Sequence, residues 1–231
     1  DKIRYMICDE LREAVAPHID KFLTSTEENS RFVLEQYALG ILNLYGLLPY
    51  TEFLKQLTGY LKGSMTKDEI AKGLSNSMLM RQLTFDIEDI YNSVMYVRSP
   101  LLLEVEDLEE RLYAHRAIKS LKKFTIEEVL SAGTMPVFYI SNPHSDQLKG
   151  FMMRKLGYNE ELAEAKIQWL WYAIQMDENP MSAIVSAIDT KVLSMQELQE
   201  VVGIAVNYCN DCPRWFLKGH SSTEASALLG R

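Results

Sequence analysis

The chain has 231 residues, of which 47% are hydrophobic and 24% charged, as in a folded globular protein of one large or two modest domains. Its formal net charge of −8 does not attract nucleic acid or an anionic membrane unless a local basic face reverses the sign. It has no apolar run of transmembrane length, and residues 1–6 do not have the pattern of a secretory signal. Three cysteines do not make a disulfide framework, so we expect a cytoplasmic protein without a membrane partner.

Hydrophobic periodicity predicts helices through the first eighty residues. Apolar residues three and four apart predict an amphipathic helix over residues 2–23, which Pro17 should kink. Further helices are predicted over 27–45 and 51–61, and a third begins at the Thr66–Glu69 capping box and runs to about residue 75.

The pattern changes after Arg81. Residues 84–87 and 91–97 alternate in polarity or are β-branched and aromatic, which predicts a β-hairpin. Glu88 and Asp89 fall at its turn. Three helices followed by a hairpin is the order of a winged helix, so residues 1–98 are predicted to form an N-terminal helix plus a winged-helix-like domain.

Helical periodicity returns after Ser99 and Pro100, and residues 99–231 are predicted to form an α-helical bundle. The helix over 159–176 is apolar on most sides, so it should be central to that bundle. The predicted fold class is therefore mainly α. The predicted helices of the bundle cover residues 104–121, 125–132, 145–156, 159–176, 180–188 and 194–210.

The pair Cys209 and Cys212, followed by His220, is the feature most suggestive of chemistry. Two thiolates at this spacing fit tetrahedral zinc, but a structural site needs four ligands and only three are evident. The same C-x-x-C spacing occurs in thioredoxins, although there a strand precedes it, whereas here a helix does. We therefore predict no cofactor and two unrelated thiols, with zinc at these three residues as the alternative.

Catalytic motifs are absent from the sequence. The four histidines are not next to a serine or cysteine in a nucleophile motif, and no glycine-rich phosphate loop is present. The carboxylates of residues 104–110 are spread around a predicted helix instead of converging. We expect a non-catalytic protein, with an enzyme whose site converges from distant positions as an alternative that predicts a deep pocket.

Charge on the predicted winged helix favours a protein partner over DNA. Residues 67–98 contain four basic and five acidic residues, so the net charge is −1. A wing that binds a duplex brings cations to phosphates, whereas this turn brings two carboxylates. A DNA-binding regulator remains the alternative and predicts a basic surface patch. The predicted interaction residues are Lys67, Lys72, Arg81, Glu88 and Asp89.

Two segments carry a resemblance to a known group of proteins. Residues 43–46 read NLYG, and residues 214–224 follow the pattern RW..KG.(S/T)..E, with the Lys-Leu-Gly sequence of residues 155–157 between them. Together they resemble proteins of Gram-positive bacteria and their phages that begin with a helix-turn-helix-like region and often carry a C-terminal SEC-C zinc-binding motif. The resemblance implies a helix-turn-helix-like start but no activity, and the sequence to Arg231 lacks the SEC-C cysteines.

Overall fold

The computed structural model describes residues 26–88, 93–102, 118–134, 139–176 and 180–229. The N-terminal part of the described chain contains four helices and a small sheet. The helices are α1 (Thr26–Tyr45), α2 (Tyr50–Tyr60), α3 (Lys67–Asn76) and α4 (Met78–Leu83). The strands are β1 (Leu47–Pro49), β2 (Thr84–Glu88) and β3 (Ser93–Arg98).

The predicted N-terminal helices and hairpin are largely confirmed. The Thr66 hydroxyl accepts from the N–H of Glu69 at 3.3 Å, and the Glu69 carboxylate accepts from the N–H of Thr66 at 2.7 Å. This reciprocal pair fixes where α3 begins. The predicted helix over residues 2–23 lies outside the described residues.

Two short elements were missed because neither is long enough to show a period. Strand β1 has three residues and pairs antiparallel with β3, so the sheet order is β1-β3-β2. Helix α4 follows α3 after one residue, Ser77, whose hydroxyl accepts from the N–H of Met80 at 3.2 Å. Glu88 is the last residue of β2 instead of a turn residue, and Asp89 lies outside the described residues.

The C-terminal part of the described chain is helical, as predicted. Its helices are α5 (Ile126–Ala132), α6 (Pro143–Lys155), α7 (Glu160–Gln175), α8 (Pro180–Ala187), α9 (Met195–Asp211) and α10 (Ser222–Leu228). Short 3-10 turns occupy Thr190–Val192 and Trp215–Leu217. Helix α7 is the buried centre of this part, with Ile167, Trp171 and Ile174 almost fully shielded from solvent.

The end of the helix predicted over 104–121 is wrong. Residues 103–117 are not described, and residues 118–124 are not helical. The N–H of Lys122 donates to the carbonyl of Lys218 at 3.0 Å instead of to a carbonyl one helical turn earlier. A long-range backbone contact therefore holds this segment out of the helix that its local pattern predicts.

One hydrophobic cluster contains residues from both sides of the predicted boundary at Ser99. It includes Leu42 and Phe53 from the N-terminal part and Trp171 and Tyr208 from the C-terminal part. Helix α1 packs directly against α5, and Gly40 permits this because a Cβ there would lie 1.9 Å from the carbonyl oxygen of Val129. The division into two domains stays a prediction, but its two parts share a core.

Candidate functional site

The predicted zinc ligands do not converge. Cys209 and Cys212 are buried free thiols, and burial raises the pKa of Cys209 to about 11 and raises that of Cys212 as well. The His220 Nε2 lies 3.1 Å from the carbonyl oxygen of Ser120. Within the described ranges no three His, Cys, Asp or Glu side chains are placed to hold a metal ion.

Of the predicted interaction residues, Lys67 and Lys72 lie on α3 and Arg81 lies on α4. Lys67 and Lys72 are exposed on α3, but Arg81 donates from Nε and Nη2 to the carbonyl of Ser75 at 3.0 and 2.7 Å. Arg81 therefore caps the C-terminal end of α3 by donating to a carbonyl group of its last turn. The side chain of Glu88 and the whole of Asp89 are not among the described parts of the chain.

A buried junction joins the end of α1 to the Trp215 turn. The indole Nε1 of Trp215 donates to the carbonyl of Asn43 at 2.8 Å, and its ring packs edge-on against Trp171 with centroids 5.8 Å apart. Gly46, at φ 73°, lies directly under the indole, since a Cβ there would be 2.4 Å from ring atoms. We call Asn43, Gly46, Gln175 and Trp215 the Trp215 junction.

Side-chain amides complete the Trp215 junction. The Asn43 side chain donates to the carbonyl of Ala132 at 2.8 Å and accepts from the Ser99 hydroxyl at 2.7 Å. The Gln175 amide accepts from the N–H of Trp215 at 3.0 Å and donates to the carbonyl of Pro213 at 3.0 Å. Asn43 and Gln175 are fully buried. Loss of the hydrogen-bond partners of either side chain would therefore leave buried polar groups unsatisfied.

The Trp215 turn ends at Lys218 in a left-handed conformation, with φ 56° and ψ 38°. Among the described residues it is the single non-glycine with positive φ. Two backbone hydrogen bonds keep Lys218 in this conformation. The N–H of Lys218 donates to the carbonyl of Trp215, and the N–H of Lys122 donates to the carbonyl of Lys218. Such strain persists where surrounding contacts over-determine a residue, as at many functional sites.

Lys218 opens onto a groove of about 760 Å³ formed by β1, α2, β3 and residues 119–123. The described lining of this lysine groove includes one carboxylate, Glu52, and an apolar part made by Leu48, Pro49, Tyr96 and Leu121. Five lysines line it: Lys55, Lys119, Lys122, Lys123 and Lys218. A concentration of positive charge therefore lies on a chain whose overall charge is −8.

Two of the five lysines are balanced within the chain. Lys122 Nζ lies 2.9 Å from a Glu224 carboxylate oxygen, and Lys55 Nζ lies 3.5 Å from Glu52. The remaining three, Lys119, Lys123 and Lys218, have no carboxylate within 4.0 Å in the described part of the chain. Partial burial lowers the pKa of Lys218, an effect that the nearby Glu52 partly opposes.

The Lys122–Glu224 pair also orders the helix that follows the turn. The second Glu224 oxygen accepts from the N–H of Ser221 at 2.9 Å, and the Ser221 hydroxyl accepts from the N–H of Glu224 at 3.2 Å. This capping box starts α10. Burial opposes ionisation of Glu224, but Lys122 and the Ser221 N–H outweigh it and lower the pKa of the carboxyl.

Sequence reasoning missed the lysine groove. Residues 119–123 contain three lysines within five positions, the one such cluster in the sequence, but the predicted end of a helix at residue 121 separated Lys119 from Lys122 and Lys123. Lys218 entered the sequence analysis only as part of the RW..KG.(S/T)..E pattern of residues 214–224. The local cluster was visible in the sequence, whereas its meeting with Lys218 and α2 depends on contacts about one hundred residues apart.

The two segments that carry the resemblance meet at the Trp215 junction, through Asn43 and Gly46 of the first and Trp215 of the second. Comparisons with protein families, curated proteins and solved structures find no match to this chain. Of the helices in the described ranges, none has the length and apolar character needed to cross a membrane.

Proposed function

We propose that this protein is a non-catalytic regulator or adaptor that binds another protein through a winged-helix-like module and the lysine groove beside it. The observation that carries the proposal is the lysine groove, which is lined by three lysines that have no carboxylate within 4.0 Å among the described residues. Such a surface attracts an anionic partner and guides its approach. The cytoplasmic location remains part of the proposal.

The order of elements supports a winged-helix-like module. A helix, a short strand, two helices and a hairpin follow one another, and β1 joins the sheet next to β3. This is the topology in which winged helices place their first strand at the sheet edge. Helix α4, between α3 and β2, is an addition to that pattern.

The overall charge favours an acidic protein segment as the partner. Outside the groove the chain is strongly acidic, so an extended polyanion would be repelled wherever it leaves the groove. A short run of Asp and Glu side chains fits within the groove, where it contacts the lysines without reaching the acidic surface outside. The described lining has no histidine and one carboxylate, which favours binding over general acid-base chemistry.

The test is binding of a fluorescein-labelled peptide rich in Asp and Glu, followed by anisotropy. The groove variant Lys119→Glu/Lys123→Glu reverses two charges in the groove, and Lys67→Glu/Lys72→Glu makes the same change of net charge on α3. We expect the groove variant to lose about tenfold or more in affinity and the α3 variant to lose little. Equal losses would contradict the proposal.

A DNA-binding regulator is the second candidate, because the lysine groove is a basic patch of the kind that it requires. Duplex DNA should then bind more tightly than the acidic peptide, with a log–log salt slope of about −3 if three phosphates are neutralised. Salt titrations of duplex binding by the protein and by Lys119→Glu/Lys123→Glu test this. Tight binding that the groove variant abolishes would replace the protein-partner proposal.

A further inference from the structure

The lysine groove has more positive charge than one carboxylate can neutralise. Glu52 is already engaged by Lys55 and by the Gln56 amide, whose Nε2 lies 2.8 Å from the Glu52 oxygen. The Glu52–Lys55 pair is neutral as a unit, and Glu224 balances Lys122. The net charge available to a ligand therefore comes from Lys119, Lys123 and Lys218.

We propose that the lysine groove binds a phosphate monoester carried on an organic group, with Lys119, Lys123 and Lys218 around the phosphate. The apolar part of the groove, which includes Pro49 and Tyr96, then contacts the organic group. The inference rests on the proposed function, since it specifies the chemistry that the partner presents at the same site. Phosphorylated peptides and nucleoside monophosphates share this chemistry.

The chemistry of the two charged groups favours a phosphate over a carboxylate. A phosphate monoester carries about −1.5 to −2 charges at neutral pH and three acceptor oxygens, whereas a carboxylate carries one charge and two oxygens. Lysine ammonium groups are compact point charges with three rotatable donors, so several can surround one phosphate without a fixed fork geometry. Three ammonium groups that have no carboxylate within 4.0 Å in the described ranges match a dianion better than a monoanion.

The backbone of Lys218 is held in place before any ligand arrives. Trp215 anchors the turn in the core, the N–H of Gly219 donates to the carbonyl of Arg214 at 3.0 Å, and Lys122 bonds the Lys218 carbonyl. These bonds tie the two basic segments together. Less conformational entropy is then lost on binding than if each lysine lay on a separate free loop.

The experiment measures calorimetric binding of four probes to the full chain: a phosphoserine peptide, its Glu counterpart, its unphosphorylated Ser counterpart, and adenosine monophosphate. Lys218→Gly removes the ammonium while suiting the left-handed conformation, so the variant retains the turn. Lys218→Arg keeps the charge, and Lys72→Ala removes one charge from exposed α3.

We expect at least one phosphorylated probe to bind about tenfold or more tightly than the Glu and Ser peptides. Lys218→Gly should weaken that binding about tenfold, while Lys218→Arg and Lys72→Ala change it little. Preference for the phosphopeptide assigns a protein source, and preference for adenosine monophosphate assigns a small-molecule source.

Two results would overturn the inference. If the Glu peptide binds as tightly as the phosphoserine peptide and the groove variants weaken both, the acidic-partner function stands and the phosphate chemistry fails. If phosphorylated probes bind the Lys218→Gly and Lys119→Glu/Lys123→Glu variants as tightly as the parent, the phosphate site lies elsewhere and the inference fails.

Discussion

Trp215 and Lys218 are three residues apart, but Trp215 is buried in the core and Lys218 lines the lysine groove. On the core side, the Trp215 indole, the Asn43 amide and the Gln175 amide all have hydrogen-bond partners at 2.7–3.0 Å. On the groove side, the Lys218 ammonium has no carboxylate within 4.0 Å in the described residues. Satisfied polar groups hold the turn in place, whereas the cations beside it are the ones that we propose to bind a ligand.

Trp215→Ala should have the largest effect, because it removes a buried ring and the donor to Asn43. We expect a loss of about 3–5 kcal/mol in the free energy of unfolding, measured by urea denaturation. Trp169→Ala is the matched control, since Trp169 is 38% exposed, and it should cost much less. Equal losses would show that the Trp215 junction does not stabilise the fold as its contacts indicate.

Gly46→Ala should be the next most damaging substitution. It places a Cβ 2.4 Å from the Trp215 ring in a residue with φ 73°, so overpacking and backbone strain add to about 2–4 kcal/mol. Gly63→Ala is the control, because Gly63 has φ 91° but nothing within 4 Å of an added Cβ. Thermal and urea unfolding of the pair separates the packing contribution from the backbone contribution.

Glu224→Gln tests the Lys122–Glu224 ion pair, which links the groove to the capping of α10. The pKa of Glu224 is lowered in the folded chain, so its contribution to stability is present above its usual pKa and is lost as the pH falls. We expect a loss of up to about 1 kcal/mol at neutral pH that disappears in acid, since the pair is partly exposed. Urea unfolding of both proteins at pH 7 and near pH 3 measures it. A difference that stays constant with pH would exclude this role for the carboxylate.

Lys218→Gly should have the smallest effect on stability, and in the opposite direction. Relief of the left-handed strain exceeds the added entropy of the unfolded glycine, so we expect a gain of about 0.5 kcal/mol. Thermal unfolding measures the gain. Loss of ligand binding in the same variant would show that Lys218 acts in binding, whereas Trp215 acts in stability. A clear destabilisation would mean that the Lys218 side chain has a structural role.

Local patterns in the sequence predicted most helices of the fold. The capping boxes at Thr66 and Thr125 and the N-cap at Ser194 act within three residues, so the sequence alone is enough to recognise them. Strand β1 could not be recognised in this way because its three residues are defined by pairing with β3, about fifty positions later.

The candidate site was less predictable than the fold. The net charge of residues 67–98 argues against DNA as the partner, and this stays a prediction; Arg81 donates to a backbone carbonyl. Summing the charge along a stretch of sequence also concealed the lysine groove, because such a sum cannot show which cations lie together in space. Lys55, Lys122 and Lys218 come from three distant segments.

The backbone hydrogen bond between Lys122 and Lys218 joins segments that are synthesised at different times. The groove requires residues from α2 and from the segment just before α10, so it does not form until the chain has been synthesised past Lys218 and these segments have folded together. An N-terminal fragment that ends at residue 98 would contain Lys55 and neither of these two partners. Ligand binding by the groove would therefore report the completion of folding, and a chain cleaved before Trp215 would be inactive in binding even if its helices were formed.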